Sequence, residues 1–138
     1  MQSCQDFEFI IIDGASTDDS VAIIKQNEDI LAHWISEPDN GVYQAMNKGI
    51  DWAKGEYCIF MNSGDIFYDS KVIEYVLPLL KEYDVLTGAT WLSFGRLVQA
   101  PNDVPMRFLF NQTLCHQSSF IKTSLLKKYK YDENLRFV

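Results

Sequence analysis

The sequence is poor in basic residues. Twelve Lys and Arg face nineteen Asp and Glu, which gives a formal net charge of −7, and no basic stripe runs along any segment. A nucleic acid backbone would repel a surface of this charge, so nucleic acid is excluded as a partner. Any phosphate ligand is then expected to need a metal ion as a bridge.

The sequence also lacks a long apolar run and a secretory signal. No segment approaches the ~20 apolar residues that cross a bilayer. The N-terminus does not show the basic and then apolar pattern of a signal peptide. From these absences we expect a cytoplasmic protein without a transmembrane segment.

Cysteines are few and widely separated. Cys4, Cys58 and Cys115 show no spacing typical of a zinc site or a redox pair, which indicates reduced thiols. Cys115 is followed by His116, but neighbours in an extended segment point to opposite faces, which makes a poor thiol–imidazole pair. A catalytic cysteine is therefore not expected.

The chain contains enough apolar material for one core. Hydrophobic residues make up 47% of its 138 residues and aromatic residues 14%, which excludes a disordered polar chain. The length lies in the usual range of a single domain. We therefore expect one domain over residues 1–138.

Apolar strands alternate with amphipathic helices along the chain. Strands are predicted at residues 7–12, 31–36, 57–61, 85–91, 97–100 and 118–121, and helices at about residues 18–27, 42–54, 70–83 and 123–129. Pro78 is expected to kink or interrupt its helix. The alternation predicts an α/β fold with a mostly parallel, doubly wound sheet and helices on both faces.

Three polar loops lie at residues 13–18, 37–41 and 62–65. The first and third follow the carboxyl ends of strands, where α/β sheets bind ligands, and the second joins them if its strand is parallel. Asp65 could hold Mg²⁺ or Mn²⁺ against a phosphate, because these ions prefer oxygen ligands and keep several waters. The alternative is that Asp65 caps a helix or closes a turn.

The polar loops and their flanking segments resemble the GT-A glycosyltransferases of family 2, bacterial enzymes that transfer a sugar from a nucleotide-sugar donor with inversion. The resemblance covers nearly the whole chain. It is carried by IIDGASTD at residues 11–18, by ISEPDNGVY at 35–43 with AMNKG at 45–49, and by GEY at 55–57 continuing to NSGD at 62–65. It implies the GT-A fold, in an incomplete form.

The resemblance implies a role for each polar residue in these motifs. Asp13 is expected to contact the base of the donor, commonly uracil, and Asp39 and Asn47 to help build the nucleotide pocket. Lys48 is expected near a phosphate. Asp65 takes the metal-binding place of the family's DxD motif, with Mn²⁺ or Mg²⁺ as the cofactor.

Two further residues belong to the expected nucleotide-sugar site. Asn62 stands where the family often has a carboxylate, as does Gly64, so Asp65 is expected to be the sole acidic ligand. His116, with Gln117, resembles a pair on the acceptor side of such sites, where an imidazole could contact a phosphate or the acceptor. The alternative is a core or surface histidine.

The resemblance also implies that segments are missing at both ends. The family begins with a strand and helix before Gln2, and its catalytic carboxylate usually follows the stretch that resembles residues 131–136. We therefore expect the base to lie beyond Val138, although Asp132 or Glu133 could be proposed for it. The absent strand would leave neighbouring strands without a partner, which predicts a homodimer.

The leading hypothesis is a partial catalytic domain that transfers a sugar, UDP-linked by resemblance, to a saccharide or lipid-linked acceptor in bacterial surface polysaccharide synthesis. The acceptor could lie at a membrane surface. One rival is a module that binds the donor without transfer. The other is a nucleotidyltransferase, which would be expected to show a Gly-rich phosphate loop with basic residues, and none is found.

Overall fold

The computed structural model describes residues 2–102, 104–109 and 112–135. The chain divides into two compact units. Unit A comprises Asp6–Glu56 and Thr123–Val138, and unit B comprises Met1–Gln5 and Tyr57–Lys122.

Strands and helices alternate over most of the chain. In chain order the elements are β1 (Ile10–Asp13), α1 (Ser20–Gln26), β2 (His33–Ser36), α2 (Val42–Trp52), β3 (Tyr57–Cys58), α3 (Val72–Leu80), β4 (Val85–Thr87), β5 (Ala89–Trp91), β6 (Leu97–Gln99), α4 (Met106–Leu109), β7 (Ser119–Lys122) and α5 (Thr123–Tyr129). The predicted α/β class is confirmed. With 11 residues α2 is the longest of these helices, and none of the described helices has the length and apolar character to span a bilayer.

In unit A, β1 and β2 form a parallel pair. The register runs from Ile10 opposite His33 to Asp13 opposite Ser36. Because parallel strands end at the same edge of a sheet, the loops after β1 and β2 emerge side by side. The strand before the loop at residues 37–41 is thus parallel, as the placement of this loop beside the loop at residues 13–18 requires.

Helix α2 covers this pair with its apolar face. Met46, Ile50 and Ala53 are buried, and Ile50 is fully enclosed. A Cβ added at Gly49 would lie 3.7 Å from the Ile12 side chain, an ordinary van der Waals distance, so α2 packs directly against β1 at this point. The predicted amphipathic character of this helix is confirmed, and so is its start at Val42.

Helix α5 returns to the end of α2 in unit A. The Thr123 hydroxyl donates a hydrogen bond of 2.6 Å to the Gly55 carbonyl. The Lys127 ammonium donates one of 2.8 Å to the Ala53 carbonyl. These bonds satisfy carbonyl groups at and just beyond the C-terminus of α2, which a helix cannot satisfy internally.

In unit B, β7 lies between β3 and β4 and runs antiparallel to both. The pairing is therefore more mixed than the alternation of elements predicts. The reason is the path of the chain: Gly88, directly after β4, donates its N–H to the Ser118 carbonyl at 2.8 Å. The chain re-enters the sheet where β4 left it, so the returning strand runs in the opposite direction.

The strand predicted at residues 85–91 divides at Gly88. Its first half, β4, pairs with β7, and its second half, β5, pairs antiparallel with β6 in a hairpin. Gly95 has a φ of +82° in the hairpin turn, a conformation that favours glycine. Of the two effects expected at Pro78, a kink or an interruption of the helix, the interruption is absent, since α3 continues through Pro78 to Leu80.

Truncation to alanine should destabilise unit A much more at the buried Ile50 than at the exposed Ile23. Ile50→Ala should lower the free energy of unfolding by about 2 to 5 kcal/mol, because the truncation leaves a cavity in a fully buried position. Ile23→Ala removes the same atoms from a side chain that is 58% exposed, and it should change stability by less than about 1 kcal/mol. Urea unfolding of both variants measures the difference. Equal losses would contradict the packing described for α2.

Candidate functional site

Asp13 lies at the carboxyl end of β1 and is 8% exposed. Its carboxylate accepts hydrogen bonds from the Ser16 N–H at 3.0 Å, the Ser16 hydroxyl at 2.5 Å and the Ser36 hydroxyl at 2.6 Å. The hydroxyls of Ser16 and Ser36 lower the pKa of Asp13 below its ordinary value of 3.8, against a smaller opposing effect of burial. Asp13 is therefore held as a charged carboxylate at the sheet edge.

Asp39 is brought next to the Asp13 loop by a turn. Its Oδ1 accepts a hydrogen bond of 2.9 Å from the Gly41 N–H, and Gly41 has a φ of +133°. A Cβ on Gly14 would lie 2.8 Å from Asp39 Oδ2, closer than real contacts allow. The glycine after Asp13 thus leaves room for the Asp39 carboxylate, and the structure brings these two predicted residues together.

Lys48 forms an ion pair in this structure. Its Nζ lies 2.7 Å from Oε1 of Glu37, and both side chains are partly exposed. An exposed pair of this kind contributes at most about 1 kcal/mol. A phosphate near Lys48 would compete with Glu37 for the ammonium group.

Asn47 is buried and its side chain is used within unit A. Its Nδ2 donates to the Tyr131 carbonyl and to Glu133 Oε1, both at 2.9 Å, and its Oδ1 accepts from the Tyr131 N–H at 2.9 Å. Both amide hydrogens are thus engaged. In this structure Asn47 fastens the segment at residues 131–133 to α2.

The two carboxylates that could be proposed as the base also serve to hold this segment. Asp132 Oδ1 accepts hydrogen bonds of 2.9 Å from the N–H and the side-chain amide of Asn134. Glu133 is bound by Asn47 and by Gln44. Arg136, in the stretch expected to precede the family's base, lies outside the described residues.

A groove of about 490 Å³ lies between the polar face of α2 and this segment. Its lining consists of Gln44, Asn47, Lys48, Asp51, Lys130, Tyr131, Asp132 and Glu133. Both signs of charge are present, and Lys130 is paired with Asp51. The groove therefore offers polar contacts without a net attraction for anions.

In unit B, the structure brings Asn62, Asp65 and His116 together. The Asn62 N–H donates to Asp65 Oδ2 at 2.9 Å, and the Asp65 N–H donates to the Asn62 carbonyl at 3.0 Å. Gly64, with a φ of +91°, allows this tight turn. Asn62 Nδ2 lies 3.4 Å from His116 Nε2. Burial lowers the pKa of His116 below 6.5, and the charge of Asp65 opposes that effect.

Asp65 therefore closes a turn, as the alternative reading predicted, and still offers an oxygen. Across the described residues, no group of three or more His, Cys, Asp or Glu side chains could hold a metal ion. One carboxylate beside an amide fits a Mg²⁺ or Mn²⁺ ion that keeps waters and is shared with a phosphate, rather than a closed protein cage.

Three residues that orient the predicted site residues, Ser16, Ser36 and Gln44, lie outside the predicted set. Ser16 could have been found, because an Asp followed by a Ser three residues later is a common pattern of local side-chain bonding. Ser36 and Gln44 could not, since their contacts with Asp13 and Glu133 depend on the tertiary fold.

Comparisons with known proteins agree on one family. The model of the family described as Glycosyl transferase family 2 matches residues 1–133. A PGL/p-HBAD biosynthesis glycosyltransferase of Mycobacterium bovis is 30% identical over 137 residues, covering 90% of this chain and 51% of that protein. An uncharacterized glycosyltransferase of Mycobacterium tuberculosis is 36% identical over 128 residues, covering 88% and 49%. The chain spans about half the length of these curated relatives.

A solved structure shows the same fold. The crystal structure of S. aureus TarS 1-349 superposes with a TM-score of 0.75 at 22% identity, over 99% of this chain and 45% of that chain. A second TarS structure, in complex with UDP, superposes with a TM-score of 0.71.

The hydrogen bonds of Asp13 predict a dependence of stability on pH. Folding lowers its pKa, so its charged form stabilises the fold above the ordinary value of 3.8, and this contribution is lost as the pH falls through the lowered pKa. Asp13→Asn should cost about 1 to 3 kcal/mol at neutral pH and should flatten the acid decline.

Urea unfolding between about pH 6 and about pH 2.5 measures this decline. Asp29→Asn makes the same chemical change at an exposed position and should leave the profile close to that of the parent chain. An Asp13→Asn profile parallel to that of the parent chain would contradict the assignment.

Proposed function

Since the chain belongs to glycosyl transferase family 2, we propose that it binds a nucleotide-sugar donor and contributes to an inverting sugar transfer. The donor is a uridine diphosphate sugar, and the acceptor is a saccharide or a lipid-linked molecule at a membrane surface. The process is the synthesis of a bacterial surface polysaccharide. The observation that carries the proposal is the placement of Asp13 beside Asp39 at one edge of the β1–β2 pair.

Asp13 is proposed to recognise the base. A carboxylate can accept about four hydrogen bonds, and Asp13 accepts three from Ser16 and Ser36. The orientation fixed by Ser16 and Ser36 is proposed to lower the entropy cost of accepting an N–H of the base. Asp39, in the adjacent turn, is proposed to complete the nucleotide pocket.

Lys48 and Asn47 enter this proposal differently. The Lys48 ammonium is proposed to approach a donor phosphate by leaving Glu37, since that ion pair is partly exposed and weak. Asn47 is proposed to act on the site through the segment that it fastens, because both of its amide hydrogens are already engaged.

Asp65 is proposed as the carboxylate that holds Mn²⁺ or Mg²⁺. Such an ion supplies charge neutralisation for the departing diphosphate. Asp65 is fixed through Oδ2 by the Asn62 N–H, which leaves Oδ1 for a ligand. Asn62 and His116 lie beside it and are proposed to contact the donor.

Asp132 and Glu133 are not proposed as the catalytic base. The first caps a turn and the second is held by two amides, so neither is presented to a reacting hydroxyl. We also propose a cytoplasmic location, which agrees with the three free cysteines of the described residues.

The homodimer expected from the sequence also remains a proposal. Within the described residues, β1 pairs with β2 in a sheet of two strands, and an exposed strand edge can recruit a second chain. Light scattering on a concentration series should give twice the chain mass of 15.9 kDa. A mass of one chain at about micromolar concentration would contradict it.

The metal role of Asp65 predicts how UDP affinity depends on metal. UDP should bind about tenfold more tightly with Mn²⁺ than with chelator, a difference of about 1.4 kcal/mol, because an acidic protein repels the diphosphate without a bridging cation. Asp65→Ala should remove the difference, as measured by calorimetry. As a control, Asp69→Asn changes a different carboxylate of unit B and should retain the difference in affinity.

Equal affinity of the parent chain with metal and with chelator would remove Asp65 from this role. Pyrophosphate separates the two proposed contacts. Asp65→Ala should weaken UDP and pyrophosphate alike in the presence of metal, whereas Asp13→Ala should weaken UDP and spare pyrophosphate, because its partner is the base.

A further inference from the structure

The side chain of Gln44 connects two parts of unit A that are far apart in the sequence. Its Oε1 accepts a hydrogen bond of 2.8 Å from the N–H of Asn40, in the turn that carries Asp39. Its Nε2 donates one of 3.3 Å to Oε2 of Glu133, 89 residues further along the chain. One amide group therefore contacts both the turn and the segment at residues 131–133.

Glu133 is fixed from two sides by helix α2. While Oε2 accepts from Gln44, Oε1 accepts from Asn47 Nδ2 at 2.9 Å. The backbone of Tyr131 is bound by Asn47 through both its N–H and its carbonyl, in the manner of a strand pair. Helix α2 thus sets the position of this carboxylate as well as that of the preceding backbone.

Further contacts hold the segment on either side of these amides. The rings of Tyr43 and Tyr131 stack with centroids 5.4 Å apart and planes 8° from parallel. Lys130 is paired with Asp51 on α2. These contacts fix the position of the segment on helix α2. Gln44 links the segment to the turn, because it contacts both Glu133 and the Asn40 N–H.

We propose that Gln44 is a positioning residue that couples the turn carrying Asp39 to Glu133, so that binding of a nucleoside diphosphate at the turn depends on Glu133. Glu133 itself does not contact the nucleotide. The inference rests on the proposed function, because it takes the turn with Asp39 as part of the nucleotide pocket.

The coupling follows from the polarity of the amide. Gln44 must present its oxygen to an N–H donor on one side and its NH₂ to a carboxylate on the other. If the group at position 133 that faces Gln44 becomes a donor, the Gln44 amide must turn its oxygen towards position 133. It then presents its NH₂ group to the Asn40 N–H, which is also a donor. The Asn40 N–H then loses its acceptor, and the turn that orients Asp39 loosens.

This polarity allows a reciprocal exchange as the test. In Glu133→Gln the remaining side-chain oxygen should stay with Asn47, whose bond is shorter and more buried than that of Gln44, so the new NH₂ group faces the NH₂ of Gln44. Gln44→Glu sets two carboxylates against each other. Each single variant should weaken UDP about fivefold or more, in the lower range of coupling between sites. The double variant keeps the net charge, lets the new amide at position 133 donate to the new carboxylate at position 44, and leaves an oxygen for Asn40.

Calorimetry should therefore give the double variant an affinity within about twofold of the parent chain, a non-additive result that independent sites do not show. Glu28→Gln makes the same chemical change at an exposed residue of unit A and should leave the affinity unchanged. Additive losses in the double variant, or a Glu133→Gln variant with the parent affinity, would overturn the proposal.

A second measurement separates this inference from the proposed function. The NMR resonance of the Asn40 amide should shift in Glu133→Gln and return in the double variant, whether or not UDP binds. If the parent chain fails to bind UDP while this pattern appears, the proposed function is wrong and the positional coupling stands. An Asn40 amide resonance with the same chemical shift in Glu133→Gln as in the parent chain would overturn the coupling itself.

Discussion

The parallel pairing of β1 with β2 in one register is the constraint on which the candidate site in unit A depends. It sets Asp13 opposite Ser36, whose hydroxyl then binds the Asp13 carboxylate at 2.6 Å. A shift of one residue would turn the side chains of one strand to the other face and separate this pair. The Asp39 carboxylate lies against Gly14, where a Cβ on residue 14 would displace it.

Helix α2 connects the β1–β2 pair to the segment at residues 131–133. Its apolar face packs on β1 with Ile50 fully buried, and its polar face carries Gln44 and Asn47, which hold Glu133. The helix also begins directly after Gly41, at the end of the turn. A rigid helix that starts at one loop of the candidate site and holds a distant segment can make the positions of the two depend on each other.

The turn that Asp65 closes is compatible with the metal-binding role proposed for it. Its Oδ2 closes a turn with the Asn62 N–H, which fixes the direction of the carboxylate before any ligand arrives. A fixed carboxylate loses less entropy when it binds a cation. The two readings of this residue, a turn and a metal ligand, are therefore compatible.

The sequence by itself determined the local features: the α/β alternation, the amphipathic character and first residue of α2, and the polar loops that follow β1 and β2. Only the tertiary structure decided that β7 runs antiparallel to its neighbours and that Asn47 and Gln44 bind a carboxylate more than 80 residues away. The physical reason is that periodicity and turn chemistry act over a few residues, whereas a strand's direction and an amide's partner depend on which distant segments share the same space.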